Sequence, residues 1–99
     1  MRYSAKLNTT IQEDMERRFI ISYYLADNTV SVYEPPVRNS GIEQGKFLER
    51  KKYKNVTGLR EFIEPGDLVI GGQVVINSYA FEILSVDKYT EEWIQANLK

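Results

Sequence analysis

Hydrophobic and polar residues alternate from Arg2 to Leu7, with Tyr3, Ala5 and Leu7 on one side and Arg2, Ser4 and Lys6 on the other. That period of two predicts a strand with one buried face. Asn8 to Glu16 holds only Ile11 and Met15 as large apolar residues, which predicts a connection or a short helical turn. Phe19 to Leu25 follows as an apolar run of strand length, rich in β-formers. Phe19, Ile21, Tyr23 and Leu25 share one face, and Ile20 and Tyr24 share the other with Ser22, so both faces are expected to be at least partly covered. Ala26-Asp27-Asn28-Thr29 supplies turn chemistry, because Asp and Asn tolerate positive φ, and predicts a hairpin into Val30–Tyr33. Pro35-Pro36 ends that strand, since neither residue can donate a ladder hydrogen bond. The loop from Glu34 to Lys46 has turn points at Asn39-Ser40-Gly41 and Gly45, and Phe47 to Tyr53 resumes as a strand.

Gly58 to Phe62 has no clear period. Pro65-Gly66-Asp67 reads as a turn, followed by Leu68–Ile70 and Gly71-Gly72. Gln73–Ile76 and Ala80–Val86 form a second predicted hairpin across Asn77-Ser78. The period then changes. Thr90 is the expected N-cap of a helix, Glu91 and Glu92 suit its positive end, and Trp93, Ile94 and Leu98 make an apolar stripe. A helix of about ten residues cannot stand alone in water, so it is expected to pack, with Trp93 buried against the sheet. The result is a mainly β fold of six or seven short antiparallel strands in a small barrel or sandwich, capped by an amphipathic C-terminal helix. Pleckstrin-homology-like barrels follow the same order. With 99 residues the chain is long enough for one core and too short for two.

Composition narrows the chemistry. The chain has no Cys and no His, which removes disulfides, thiolate nucleophiles, the commonest general base and the commonest transition-metal ligand. The missing Cys fits a reducing compartment. Glu13/Asp14/Glu16 and Glu91/Glu92 sit in a connection and at a helix start, where solvation and the helix dipole account for them. No GxxxxGK[ST] loop and no calcium-loop pattern of oxygen ligands is present. Neither enzymatic activity nor a cofactor nor a metal is expected from these residues.

Charge is uneven along the chain. Residues 1–54 hold 10 Lys/Arg against 7 Asp/Glu, whereas residues 55–99 hold 3 against 7. Lys46, Arg50, Lys51, Lys52 and Lys54 concentrate the basic part, with only Glu49 opposing, and Arg38 is the obvious protruding charge of the 34–46 loop. A solvated strand edge explains such a run, because lysines there discourage edge-to-edge aggregation. Contact with an acidic protein partner is the functional reading of the same six residues. Basic residues interleaved with Phe47 and Tyr53 would also suit single-stranded nucleic acid, but a pI of about 5.5 speaks against phosphate-driven binding. Lys6, Arg17 and Arg18 lie where a pleckstrin-homology-like barrel would hold a phosphoinositide, yet Glu13, Asp14 and Glu16 oppose them. Lipid binding is the second reading.

The segments RYSAKL, RRFIISYYLADNTVSVYEPPVRNSGI, GKFLER, PGDLVIGGQVVI and FEILSVDKY give the chain a family likeness. Together they resemble the DM10 domain of ciliary and flagellar axonemal proteins, above all the copies in myoclonin-type EF-hand proteins. Two stretches depart from the family pattern: Tyr79-Ala80-Phe81 stands where a His-Arg-Phe is common, and Ile42-Glu43-Gln44-Gly45 is slightly unusual. The resemblance implies a pleckstrin-homology-like fold over residues 1–99, as one module of a longer chain. It implies a structural role in the axoneme, docking onto tubulin or neighbouring proteins of the doublet microtubule, with calcium entering only through EF-hands outside these residues.

Overall fold

A computed structural model describes residues 1–9, 17–35, 45–56 and 61–98 of the chain. Arg38, the turn points at 39–41 and residues 10–16 of the first connection lie outside the described residues.

Six strands form one antiparallel sheet: β1 (Arg2–Leu7), β2 (Phe19–Tyr24), β3 (Thr29–Tyr33), β4 (Lys46–Lys51), β5 (Gln73–Ile76) and β6 (Tyr79–Val86). Their order is β4-β3-β2-β1-β6-β5, so β1 pairs with both its neighbour in sequence and the last strand. The two predicted hairpins are present. At the first, Asn28 takes φ 58°, and its Oδ1 accepts a 3.0 Å hydrogen bond from the Tyr23 hydroxyl. At the second, Asn77 and Ser78 take φ 50° and 73°, the pair of left-handed residues that a two-residue hairpin turn requires.

The alternation of burial follows the alternation of residues. Tyr3, Ala5, Phe19, Ile21, Tyr23, Val30 and Val32 point to one side and are buried, joined by Val74, Ile76, Phe81 and Ile83 from β5 and β6. Ile20, Ser22 and Tyr24 on the reverse face of β2 are only half-buried. The sheet curls around the buried side as a half-barrel. In a flat sheet β4 and β6 would lie about 19 Å apart across four strand spacings, yet Phe47 of β4 meets Tyr79 of β6 edge to face with ring centroids 4.9 Å apart. Phe19 completes that end, at 4.8 Å from Phe47 and 5.4 Å from Phe81. Arg17 lies over the Phe19 and Phe47 rings and holds the buried Glu34 with two 2.8 Å hydrogen bonds, from Nε and Nη2. A charge inside the rim is thereby matched, in the bidentate geometry that makes such pairs strong.

Three local expectations are corrected. Asp87, not Thr90, caps the helix α1 (Lys88–Asn97), its Oδ1 accepting from the Thr90 amide at 2.9 Å. Thr90 is fully buried instead, and its Oγ1 accepts a 2.8 Å hydrogen bond from the Arg2 amide of β1. Trp93 is half-buried, and Ile94 packs on the core while Leu98 stays 44% exposed. With Thr90 turned to β1, the residue four further on shares its face, and Trp93 lies about 60° round the helix from Thr90. Leu68 is buried beneath a single 3-10 turn (Pro65–Asp67), but Val69 and Ile70 are exposed in the turn that follows, where Gly71 takes φ 82°.

Candidate partner-binding surface

Strand β4 carries most of the basic residues, and its irregular pairing decides where each one goes. Val32 pairs with Leu48 and Tyr33 with Lys46, but Val30 pairs with Lys51, so β4 gains an extra residue at two points. Each bulge turns the side chains that follow. The basic run is consequently divided between two grooves.

Lys46 and Arg50 join Arg2 on the outside of the sheet, in a groove of about 510 Å³ floored by Ile20, Ser22, Tyr24 and Tyr33. Arg50 is already engaged there. Its guanidinium lies 3.6 Å from the centre of the Tyr24 ring, donates from Nε to Thr29 Oγ1 at 2.9 Å, and pairs with Asp27 Oδ2 at 3.1 Å. The hydrogen bond from the Thr29 side chain holds the Asp27 carboxyl below the usual carboxylate range, and Arg50 adds to the effect. Arg50, one of the six charges expected to face a partner, is therefore used to fasten β4 to the β2–β3 hairpin.

Lys51, Lys52 and Lys54 line a second groove of about 370 Å³, with Phe62 and Val56 beside them and Val75, Asn77 and Ser78 opposite. Beyond β4 the chain stays extended, and Lys54 bridges to Phe62 while the Ile63 amide donates to the Tyr53 carbonyl at 3.0 Å. Tyr53 is buried under the lysines, and its hydroxyl donates to the Glu49 carbonyl at 2.6 Å. Burial, and then the charge of Glu49, push its phenol above the ordinary tyrosine range. The Lys51 ammonium lies 5.2 Å from the centre of the Tyr53 ring, and that of Lys52 lies 5.5 Å from Phe62. All three lysines are exposed, and among the described residues none has a carboxylate within ion-pair distance.

The structure thus brings Lys51, Lys52 and Lys54 together, places Lys46 and Arg50 apart from them, and leaves Arg38 outside the described residues. Sequence reasoning missed Arg2, the counter-charge Asp27, and the opposite wall at Val75–Ser78. The Asp27-x-Thr29 spacing was visible as turn chemistry, but nothing local to it pointed to Arg50. Of the phosphoinositide candidates, Arg17 is occupied by Glu34 at 2.8 Å. Among the described residues no group of three or more Asp or Glu side chains could hold a metal ion.

A curled six-stranded antiparallel sheet with one C-terminal helix defines a small, mainly β module. The chain belongs to the DM10 domain family, which matches residues 1–90. It is 41% identical over 100 residues to mouse EF-hand domain-containing protein 1, covering 98% of this chain and 15% of that protein. It is 39% identical over 103 residues to cattle EF-hand domain-containing family member C2, covering 98% of this chain and 14% of that protein. The chain therefore spans about a seventh of the length of these relatives.

Proposed function

We propose that this DM10 domain is a non-enzymatic docking module of a ciliary or flagellar protein, holding its parent chain to tubulin or to neighbouring proteins of the doublet microtubule. The observation that carries the reading is the trio Lys51, Lys52 and Lys54, exposed and without a carboxylate partner among the described residues. Membership of a family found in EF-hand domain-containing proteins supports the context. Each rim charge contributes on the order of 0–1 kcal/mol, so one module binds weakly and several in one chain bind tightly. Any response to calcium belongs to EF-hands elsewhere in such a parent.

Co-sedimentation with opened microtubule sheets, beside phosphoinositide vesicles, tests the proposal. Pelleting with sheets, lost when Lys51, Lys52 and Lys54 become Glu and weakened by about 0.3 M salt through screening, is the expected result. Pelleting with vesicles alone would replace this reading by lipid binding.

A further inference from the structure

We propose that the groove between Lys51–Lys54 and β5 receives an extended acidic peptide, which pairs with the open edge of β5 as an added strand. The inference rests on the docking reading and names the chemistry of the ligand.

Two features of one groove carry it. The first is charge: Lys51, Lys52 and Lys54 gather there with no ion-pair partner among the described residues, whereas Arg50 on the outer face already has Asp27. The second is backbone. The half-barrel does not close, so β4 and β5 are both edge strands. Strand β4 is guarded by Lys46, Glu49, Arg50 and Lys51 and by two irregularities in its pairing, the usual defences of an edge. Strand β5 reads Gln73-Val74-Val75-Ile76 and has neither defence. Its residues bond to β6 on one side, and among the described residues the other side makes no backbone hydrogen bond.

An unguarded edge beside a row of unpaired cations is complementary to a strand with a carboxylate at every second position. Such a strand repeats about 6.6 Å along its length, which is the spacing of two extended residues such as Lys52 and Lys54. The edge supplies main-chain pairing and the lysines select the side chains, the division of labour of strand addition. An anionic membrane would meet the same lysines but has no amides to offer β5, so the peptide is the favoured occupant.

The test uses the full 99-residue chain, labelled with nitrogen-15 and titrated with a short peptide that alternates Glu with Val and Thr. Amide shifts at Val74–Ser78 and Lys52–Lys54 are expected, with affinity falling about tenfold when all three lysines become Glu and less when they become Gln. A peptide with Lys in place of Glu, and one with N-methyl groups on alternate amides, should each fail to bind. Equal binding by either control would overturn the proposal, as would shifts confined to the Arg2 and Lys46 face. So would groove shifts caused by phosphatidylserine vesicles but not by the peptide. Absent peptide binding with intact pelleting on microtubule sheets removes this inference and leaves the docking reading standing. Loss of both removes both.

Discussion

Tyr3 lies at the centre of the sheet, fully buried, and its hydroxyl has no hydrogen-bond partner among the described residues. Replacing it with Phe keeps the ring and removes only that orphan oxygen. A buried hydroxyl without a partner costs about 1–3 kcal/mol in protein measurements, so Tyr3→Phe is expected to stabilise the domain by about 1 kcal/mol at pH 7. For a domain of this size that raises the melting temperature by roughly 4–8 °C. The gain should grow in alkali. Burial first, and then the charges of Tyr23 and Asp87, push the Tyr3 phenol up to about 12 from an ordinary 10. The unfolded phenol therefore loses its proton at a lower pH than the folded one, and the wild-type domain loses stability as pH rises through that interval. Near pH 11 the effect adds at most about 1 kcal/mol to the advantage of Phe. Urea unfolding of both proteins at pH 7 and pH 11, followed by circular dichroism, measures the two differences directly. Tyr23 and Tyr53 shift in the same direction but are present in both proteins, so they cancel. A Phe variant that is less stable at pH 7, with a difference that does not change at pH 11, would refute the reasoning and require a bridging water at the hydroxyl.

Arg17→Ala strands the buried Glu34 carboxylate and should destabilise by roughly 2–4 kcal/mol, whereas Arg17→Met with Glu34→Leu should recover most of the loss in the same unfolding assay. Asp87→Ala removes the helix cap and should cost about 1 kcal/mol, with its own melting shift; Thr90→Val should cost a similar amount by orphaning the Arg2 amide. Phe47→Ala opens the aromatic end that joins β4 to β6 and should cost about 3 kcal/mol, read as a lower urea midpoint together with lost chemical-shift dispersion at Phe19, Tyr79 and Phe81.

The strands were legible because each is a short-range pattern. Arg2–Leu7 and Phe19–Tyr24 bury alternate residues as their alternation predicts, and Asn28 and Asn77-Ser78 supply the positive φ their turns need. What was not legible depends on partners distant in sequence. Asp87 and Thr90 are both competent N-caps, and only the contact of Thr90 with Arg2, 88 residues away, separates their roles. Leu68-Val69-Ile70 is apolar throughout, but the backbone turns at Gly71 and buries Leu68 alone. The basic composition of the candidate surface could be read directly. Its division into two grooves could not, because the bulges of β4 are set by its pairing with β3, and the second wall comes from the β5–β6 hairpin.

The pairing of β1 with β6 has a consequence for how the domain comes into being. Strands β1 to β4 follow one another along the chain, each beside the next, but β6 and β5 join the sheet only through β1. Until residue 86 has been synthesised, the earliest strand waits with one side bare, and the half-barrel has no seam along which to curl. Pairings across so many residues form slowly, since the intervening chain must be ordered first. A ribosome making this domain therefore exposes an incomplete sheet for most of the time the domain takes to emerge, which is the interval in which unpaired strands are captured by other chains or by chaperones.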